Sequence, residues 1–426
     1  MMAWLFIILF ALMIMGIPIA AATGVSTFVW LVNSGKPMVL FASNMAAGLD
    51  SFVRLAIPLF IFCGYVMETC GLSKRLVDGV SVWVGNVRGS MGMITIVACT
   101  IFAALTGSAP ATVAAIGAIM LPALLKQGYS DSQAAGILCS GGSLGPIIPP
   151  SVGMIVYGAL MEVSIPKMFA AAIIPGLMLS LAMIVLNQIQ TKRWGMQVAK
   201  KEKISASERA KKTIGAIPAL LMPLFVLGSI YGGICTPSEA ASVACVYCLV
   251  LGVILRTLTL KKLWDALVRT VKTSAAVGFI LATVQLFSWI LSYSQLPVKL
   301  SQAVMSVTSN PNIFIAVVVI LILIEGCFME SLSIITIMAP ILAPIGIAMG
   351  IDPVRMGVII CLCMIMGVMT PPFGVNLFYT VATTNISYDK VVKGTIPFMI
   401  VDVIVVIACC FMPWTMELLP KLFFGK

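Results

Sequence analysis

Residues 141–151 read GGSLGPIIPPS, and a comparable stretch, TPPFG, occurs far down the chain at 370–374. Glycine loosens a helix and proline removes a backbone hydrogen-bond donor, so both stretches predict an interrupted helix. The sequence on either side is strongly apolar, and an unpaired backbone group is costly in such surroundings. The fold must therefore accommodate two similar helix interruptions within an apolar chain.

The composition is that of a membrane protein. Of the 426 residues, 61% are hydrophobic and 10% are charged, whereas soluble domains are about half apolar and about a quarter charged. Mean hydropathy is +1.12, and apolar runs long enough to cross ~30 Å of hydrocarbon recur throughout. We expect an all-α polytopic membrane protein. The first run, 3–32, is expected to be one retained span rather than a cleaved signal peptide.

Charge, cysteine and histidine content exclude several functions. The net charge is +11, but the basic residues lie between apolar runs, which favours the positive-inside rule over nucleic-acid binding. Most of the 12 cysteines lie within apolar runs, as packing residues do. GGSLG at 141–145 matches the G-x-S-x-G motif, yet the chain has no histidine to accept the serine proton. We therefore expect no hydrolase, and no enzymatic activity.

Spans and hairpins can be separated by their pattern. Two segments, 91–125 and 312–349, each hold two apolar stretches around a small or polar centre, TGSAPAT and MESLS. They are predicted to be re-entrant hairpins that enter and leave the membrane on one side. Membrane spans are predicted at 3–32, 55–71, 131–163, 168–191, 214–231, 237–255, 273–295, 353–386 and 397–418.

This division predicts the orientation. It places 19 basic residues in cytoplasmic loops and 7 in periplasmic loops, as the positive-inside rule requires. An odd number of crossings then puts the N-terminus in the cytoplasm and the C-terminus in the periplasm.

The two halves of the chain match. A shift of 222 residues superposes mainly proline and glycine positions: Pro122 on Pro344, Gly128 on Gly350, Gly145 on Gly367, Pro149 on Pro371, and Pro175 on Pro397. An odd number of crossings separates the copies, so the repeat is predicted to be inverted. The predicted parts are a first half (1–191, hairpin 91–125, broken helix 131–163), a basic cytoplasmic linker with a connecting helix (192–236), and a second half (237–426, hairpin 312–349, broken helix 353–386).

Matched helix interruptions in an inverted repeat point to the binding site of a secondary transporter. Each hairpin centre is expected to lie against the broken helix of its own half. Hydroxyl and carbonyl oxygens suit an alkali cation, so we expect two sodium sites and no organic cofactor. The alternative for the breaks is a simple proline kink, and the alternative for the hydroxyl residues is packing between transmembrane helices. The candidate sodium ligands are Thr106, Ser108, Thr112, Ser143, Gly145 and Pro149 in the first half, and Ser331, Ser333, Gly367, Thr370 and Pro371 in the second.

The substrate is expected between the two hairpin centres. Candidate substrate-binding residues are Ser108, Ser151, Glu330 and Asn376. Glu330 is the foremost of them, because an ionisable group inside a membrane is a functional candidate by default. It could bind substrate donors, carry a proton or cap the hairpin. Three other acidic residues, Glu239, Glu325 and Asp402, are expected to be structural.

Five motifs along nearly the whole chain resemble the large membrane subunit of a tripartite ATP-independent periplasmic (TRAP) transporter. They are SAPATVAAIGAIMLPALLKQGY (108–129), GSLGPIIPPS (142–151), TPSEAA (236–241), FMESLSIITIMAPILAPI (328–345) and GVMTPPFGVNLF (367–378). Position 330 departs from the family, which more often has aspartate there, so the local substrate geometry is in question. The resemblance implies a scaffold with an elevator-like transport domain.

The same resemblance implies sodium-driven uptake of an organic acid across a bacterial inner membrane. Sialic acid and C4-dicarboxylates are among the substrates it suggests, with a lean towards sialic acid. It also implies two partners, a small four-helix membrane subunit and a periplasmic substrate-binding protein. The alternatives are a stand-alone sodium/organic-anion permease, a membrane-embedded enzyme, which the lack of histidine disfavours, and a channel, which the paired broken helices disfavour.

Overall fold

The computed structural model describes residues 2–84, 87–196 and 205–425, which are helical apart from connecting turns and contain no strand. Besides a 3-10 turn at Phe52–Leu55, there are twenty α-helices: α1 (Met2–Ile14), α2 (Ile19–Asn33), α3 (Val39–Ala47), α4 (Ala56–Thr69), α5 (Leu72–Ser81), α6 (Ser90–Thr106), α7 (Ala109–Lys126), α8 (Asp131–Gly142), α9 (Val152–Met161), α10 (Ile165–Arg193), α11 (Ala206–Tyr231), α12 (Pro237–Ile254), α13 (Leu260–Tyr293), α14 (Leu296–Val307), α15 (Pro311–Gly326), α16 (Ser331–Ala348), α17 (Pro353–Gly367), α18 (Val375–Thr384), α19 (Tyr388–Phe411) and α20 (Trp414–Phe424).

The protein is a polytopic α-helical membrane protein, as its composition predicts. Within the described residues, eight helices are long and apolar enough to cross a bilayer, and up to nine if the bent pair α14 and α15 counts as one span. These two helices meet at 118° around the break before Pro311. Many large apolar side chains are exposed on the outer helices, which is the arrangement expected where lipid is the solvent.

Both predicted interruptions are present. Helix α8 ends at Gly142 and α9 begins at Val152, while α17 ends at Gly367 and α18 begins at Val375. Each break contains a cis peptide bond between its two consecutive prolines. The local sequence explains the breaks, because proline lacks the N–H that would continue the helical ladder.

The two predicted hairpins are also present as pairs of packed helices. Helices α6 and α7 pack against each other, as do α15 and α16. Gly107 makes the first turn with a φ of +60°, a left-handed conformation that glycine adopts without steric cost. The second turn lies between Gly326 and Ser331.

The expectation of one continuous span over 3–32 is wrong. The chain breaks between α1 and α2, at Gly16, which has a φ of +80°, and Pro18. Residues near the start of α1, such as Trp4, line a cavity together with Asn33 at the end of α2. The segment therefore folds back on itself. The orientation of the two termini stays a prediction.

The predicted linker falls partly outside the described residues, since 197–204 are not among them. After that gap, α11 begins with Ser205 as N-cap, whose hydroxyl accepts a hydrogen bond from the Glu208 N–H. The division into two halves joined by this linker stays a prediction.

A close crossing of α8 and α19 joins the first broken helix to the C-terminal part of the chain. Gly136 and Gly394 meet at the crossing, where a Cβ on Gly394 would lie 1.7 Å from the Ser132 carbonyl oxygen. Next to the crossing, the Asp131 carboxylate pairs with the Lys390 ammonium at 2.7 Å. Small residues permit such close backbone approach in membranes. Helices α4 and α13 pack against each other, and residues of both helices line the site described below.

Candidate functional site

One cavity of about 370 Å³ lies where the two hairpins and the two breaks converge. Its volume is that of a small-molecule site. The first hairpin turn contributes residues 107–109, and the second contributes residues 330–332. Pro146 and Val368 of the two breaks also line it, with residues of α4 and α13 on a further wall.

The first hairpin turn lies directly on the first break, as predicted. A Cβ on Gly145 would lie 2.4 Å from the Ser108 carbonyl carbon, and a Cβ on Gly107 would lie 2.9 Å from the Val152 nitrogen. Real side chains do not approach this closely, so both contacts require glycine. Six of the first-half candidates, Thr106, Ser108, Thr112, Ser143, Gly145 and Pro149, therefore lie at one junction of turn and break.

The hydroxyl groups at this junction donate to backbone carbonyl oxygens. Thr112 Oγ1 donates to the Ser108 carbonyl oxygen at 2.8 Å and lies 3.2 Å from Thr106 Oγ1. Ser143 Oγ donates to the Ser140 carbonyl oxygen at 2.6 Å, and Ser151 Oγ to the Pro146 carbonyl oxygen at 2.5 Å. A hydroxyl that has placed its proton in this way still has lone pairs available for a cation.

The second turn approaches the second break in the same way. A Cβ on Gly326 would lie 2.2 Å from Gly367 Cα, and the rings of Phe328 and Phe373 are 5.9 Å apart. On the break itself, Thr370 Oγ1 donates to the Met366 carbonyl oxygen at 2.7 Å.

The other second-half candidates lie at the same junction. Ser331 lines the cavity, Ser333 is buried two residues later in α16, and Pro371 is half-buried in the break. The oxygen-rich, histidine-free environment fits a hard alkali cation better than a transition metal.

Glu330 and Asn376 line the cavity, but they are held differently. Glu330 is the N-cap residue of α16 without a side-chain capping bond, and it is exposed to the cavity. Asn376 is buried, and its Nδ2 donates to the Cys139 carbonyl oxygen on α8 at 2.6 Å. Asn376 Oδ1 has no hydrogen-bond partner among the described residues. Asn376 thus ties the second broken helix to the first, a link between the halves that the sequence pattern did not predict.

The wall formed by α4 and α13 carries a charged residue that sequence reasoning missed. Arg269 was counted only as a basic loop residue, because the span was predicted to begin at 273, whereas α13 begins at Leu260. Arg269 lines the cavity, and its guanidinium group donates two hydrogen bonds to the Glu68 carboxylate, at 3.0 and 3.2 Å. The available signal was an acidic residue at the end of one predicted span and an arginine just before another.

Comparisons with known proteins agree on the family. The family model described as "Tripartite ATP-independent periplasmic transporter, DctM component" matches residues 2–415. The large permease protein DctM of a C4-dicarboxylate TRAP transporter from Vibrio cholerae is 35% identical, over 99% of this chain and 98% of its own length. The large permease protein SiaM of a sialic acid TRAP transporter from the same species is 32% identical, over 97% of both chains.

Two further matches widen the comparison. The large permease protein UehC of an ectoine/5-hydroxyectoine TRAP transporter from Ruegeria pomeroyi is 32% identical over the full length of both chains. Among solved structures, the YdaH transporter of Alcanivorax borkumensis superposes with a TM-score of 0.60 at 13% identity, covering 89% of this chain and 88% of that chain. At that identity the likeness shows a common fold.

Proposed function

This chain belongs to the DctM family of tripartite ATP-independent periplasmic transporters, and we propose that it mediates sodium-driven uptake of an organic acid. Membership makes it a multi-pass transport protein and not an enzyme, since its relatives are transporter permeases. The coupling ion, the elevator movement and the substrate are the proposed part. The observation that carries the proposal is the convergence of both hairpin turns and both helix breaks on one cavity.

Sodium ions would bind first, one at each junction of turn and break. Freed carbonyl oxygens and hydroxyl lone pairs supply the ligands, which are the type that alkali cations prefer. The bound ions order the turns and offset the cost of holding a carboxylate away from bulk water. The loaded group of hairpins and broken helices then moves inward past α4 and α13 as an elevator-like transport domain. At 100 mV, inside negative, each net positive charge that crosses contributes ~2.3 kcal/mol.

The substrate would be a small organic acid docked between the two turns. Ser108, Glu330 and Asn376 line the cavity there. Ser151 is buried and is not among the lining residues, and its hydroxyl donates to the Pro146 carbonyl oxygen within the first break. Relatives are named for C4-dicarboxylates and for sialic acid, so acids of both kinds belong in the first uptake screen.

The partners would be a small four-helix membrane subunit and a periplasmic substrate-binding protein, in a bacterial inner membrane. One relative, an isethionate TRAP permease protein named DctMQ, is longer than this chain: the match covers 94% of this chain but 63% of that protein. A stand-alone permease of the same fold would need neither partner. Affinity purification of this chain from its own membranes separates the two possibilities: a stoichiometric small four-helix protein supports the tripartite system, and purification alone with full uptake activity contradicts it.

We predict that Ser108→Ala and Thr370→Ala each raise the sodium concentration for half-maximal uptake. Removing one oxygen ligand from a site with several is expected to raise it roughly 3- to 10-fold, because one polar contact contributes about 1 kcal/mol. The measurement is initial uptake of labelled acid into proteoliposomes as external sodium is varied.

Ser306→Ala is the matched control, because Ser306 is an exposed residue of α14 whose hydroxyl donates to the Ala303 carbonyl oxygen. Its sodium activation should equal that of the unmodified protein. Sodium activation that stays the same in both Ser108→Ala and Thr370→Ala would remove these residues from the ligand set.

A further inference from the structure

The wall of the cavity formed by α4 and α13 contains an arginine, Arg269, that is held by three contacts. Arg269 forms a two-bond ion pair with Glu68, with Nη1–Oε1 at 3.0 Å and Nη2–Oε2 at 3.2 Å. The guanidinium carbon lies 4.3 Å from the centre of the Tyr65 ring. The Tyr65 hydroxyl in turn lies 3.0 Å from Thr273 Oγ1. The ion pair, the ring and the hydroxyl contact together hold the guanidinium in one orientation.

This arrangement leaves Arg269 able to bind an anion. A guanidinium has five N–H donors in a fixed fork, and Glu68 takes two of them. The other three have no hydrogen-bond partner within the described ranges, and 43% of the side chain is exposed, against 22% for Glu68. Arg269 lines the cavity whereas Glu68 does not. A carboxylate that enters the cavity can therefore accept hydrogen bonds from the N–H groups that Glu68 leaves unused.

The cavity is lined by two residues of opposite charge that lie on different elements, Arg269 on α13 and Glu330 at the start of α16. Among the residues that line the cavity, Arg269 and Glu330 are the two charged ones. A carboxylate next to Arg269 gains two charge-assisted hydrogen bonds, while a second carboxylate next to Glu330 meets a like charge. A hydroxyl, amide or ammonium donor at that end would instead be accepted by the Glu330 carboxylate.

We propose that the cavity selects a monocarboxylic acid that carries hydrogen-bond donors at its other end, with Arg269 as the carboxylate-binding residue and Glu330 as the acceptor for the donors. This inference rests on the proposed function and narrows its substrate from organic acids in general. Tyr65 and Glu68 are positioning residues, since they act by orienting the guanidinium. A dicarboxylate of the same length would place its second carboxylate beside Glu330, where it cannot donate a hydrogen bond, so we expect it to bind more weakly than the monocarboxylate.

The test uses matched pairs of acids that differ in one end group: gluconate against glucarate, and 4-hydroxybutyrate against succinate, with N-acetylneuraminate as a further monocarboxylate. Binding is measured on the purified full-length protein in sodium-containing buffer, as the dependence of its thermal unfolding on acid concentration. Sodium-driven uptake of the same acids into proteoliposomes containing its partners is measured in parallel. We expect at least one monocarboxylate to bind at least 10-fold more tightly than its dicarboxylate counterpart.

Two substitutions test the two ends separately. Arg269→Ala and Arg269→Lys should both weaken binding of that monocarboxylate, by roughly 10- to 100-fold for alanine and less for lysine, which keeps the charge but loses the fork. Glu330→Gln keeps the shape and removes the charge, so it should shift the preference towards the dicarboxylate by about 10-fold. Lys262→Ala is the control, because Lys262 lies on α13 and bonds the Thr257 carbonyl oxygen outside the cavity.

The outcomes separate the inference from the function on which it rests. Sodium-driven uptake that favours dicarboxylates, or binding unaffected by Arg269→Ala, overturns the inference and leaves the transport proposal intact. Failure of every acid both to bind and to move with sodium overturns both. A monocarboxylate preference that Glu330→Gln leaves unchanged overturns the role of Glu330.

Discussion

Replacing Gly145 by alanine is expected to abolish sodium-dependent uptake while leaving a folded protein in the membrane. The added Cβ would lie 2.4 Å from the Ser108 carbonyl carbon and 2.5 Å from the Ala109 nitrogen, whereas non-bonded carbon atoms prefer about 3.5–4.0 Å. Both atoms belong to the backbone, so no side-chain rotation relieves the contact. The first hairpin turn must move off the break, and the oxygens proposed to bind sodium separate.

Three measurements check this expectation: initial uptake with and without a sodium gradient, stabilisation of the purified protein by sodium, and its elution volume on size exclusion. We expect uptake to fall at least 100-fold, which corresponds to a free-energy difference of roughly 3 kcal/mol or more. The elution volume should stay unchanged, and sodium should no longer stabilise the purified protein. Gly228→Ala is the matched control, since a Cβ there meets nothing within 4 Å. Sodium-dependent uptake within a few-fold of the unmodified protein would contradict the proposed site.

Gly394→Ala is expected to destabilise the whole protein more than any change at the cavity. Its Cβ would lie 1.7 Å from the Ser132 carbonyl oxygen and 2.6 Å from the Ser132 carbonyl carbon. The two helices of the crossing, α8 and α19, would have to separate, with loss of the packing around Gly136 and of the nearby Asp131–Lys390 pair. Overpacking a close contact costs about 1–3 kcal/mol even where side chains can adjust, and here the contact is with the backbone.

The midpoint of thermal unfolding in detergent and the yield of monodisperse protein measure this effect. Both should fall for Gly394→Ala and stay unchanged for Gly228→Ala. Gly136→Ala should act in the same direction, because its Cβ would lie 2.1 Å from the Gly394 carbonyl oxygen. The double variant should lose less than the sum of the two, since the first substitution already separates the helices. Additive losses would show that the two glycines do not share one contact.

Local backbone chemistry could be predicted from the sequence because it acts over a few residues. The breaks at 143–151 and 368–374 follow from paired prolines next to glycine, and the turn at Gly107 follows from small residues between two apolar stretches. The same logic was available for the N-terminal segment, where Gly16 and Pro18 end α1. There the apolar length outweighed the break signal, and one span was predicted in place of two short helices.

The sequence predicted the part of the candidate site formed by the hairpins and broken helices, but not the part formed by α4 and α13. The sequence pattern predicts that hairpin centres face broken helices, and it names Ser108, Glu330 and Asn376, all of which line the cavity. It does not predict the amide bond from Asn376 to Cys139, which joins residues 237 positions apart. Nor does it predict that Arg269 and Glu68, 201 positions apart, meet beside the cavity.

Apolar length and the placement of proline and glycine by themselves determined that this chain is a helical membrane protein with two hairpins and two broken helices. Those features depend on whether each short segment can satisfy its own backbone in lipid, which is a local property. Only the tertiary structure decided which charges face the cavity and where α8 and α19 come into backbone contact. Contacts of that kind depend on how distant helices pack, and no repeat or spacing in the sequence encodes the rotation of one helix against another.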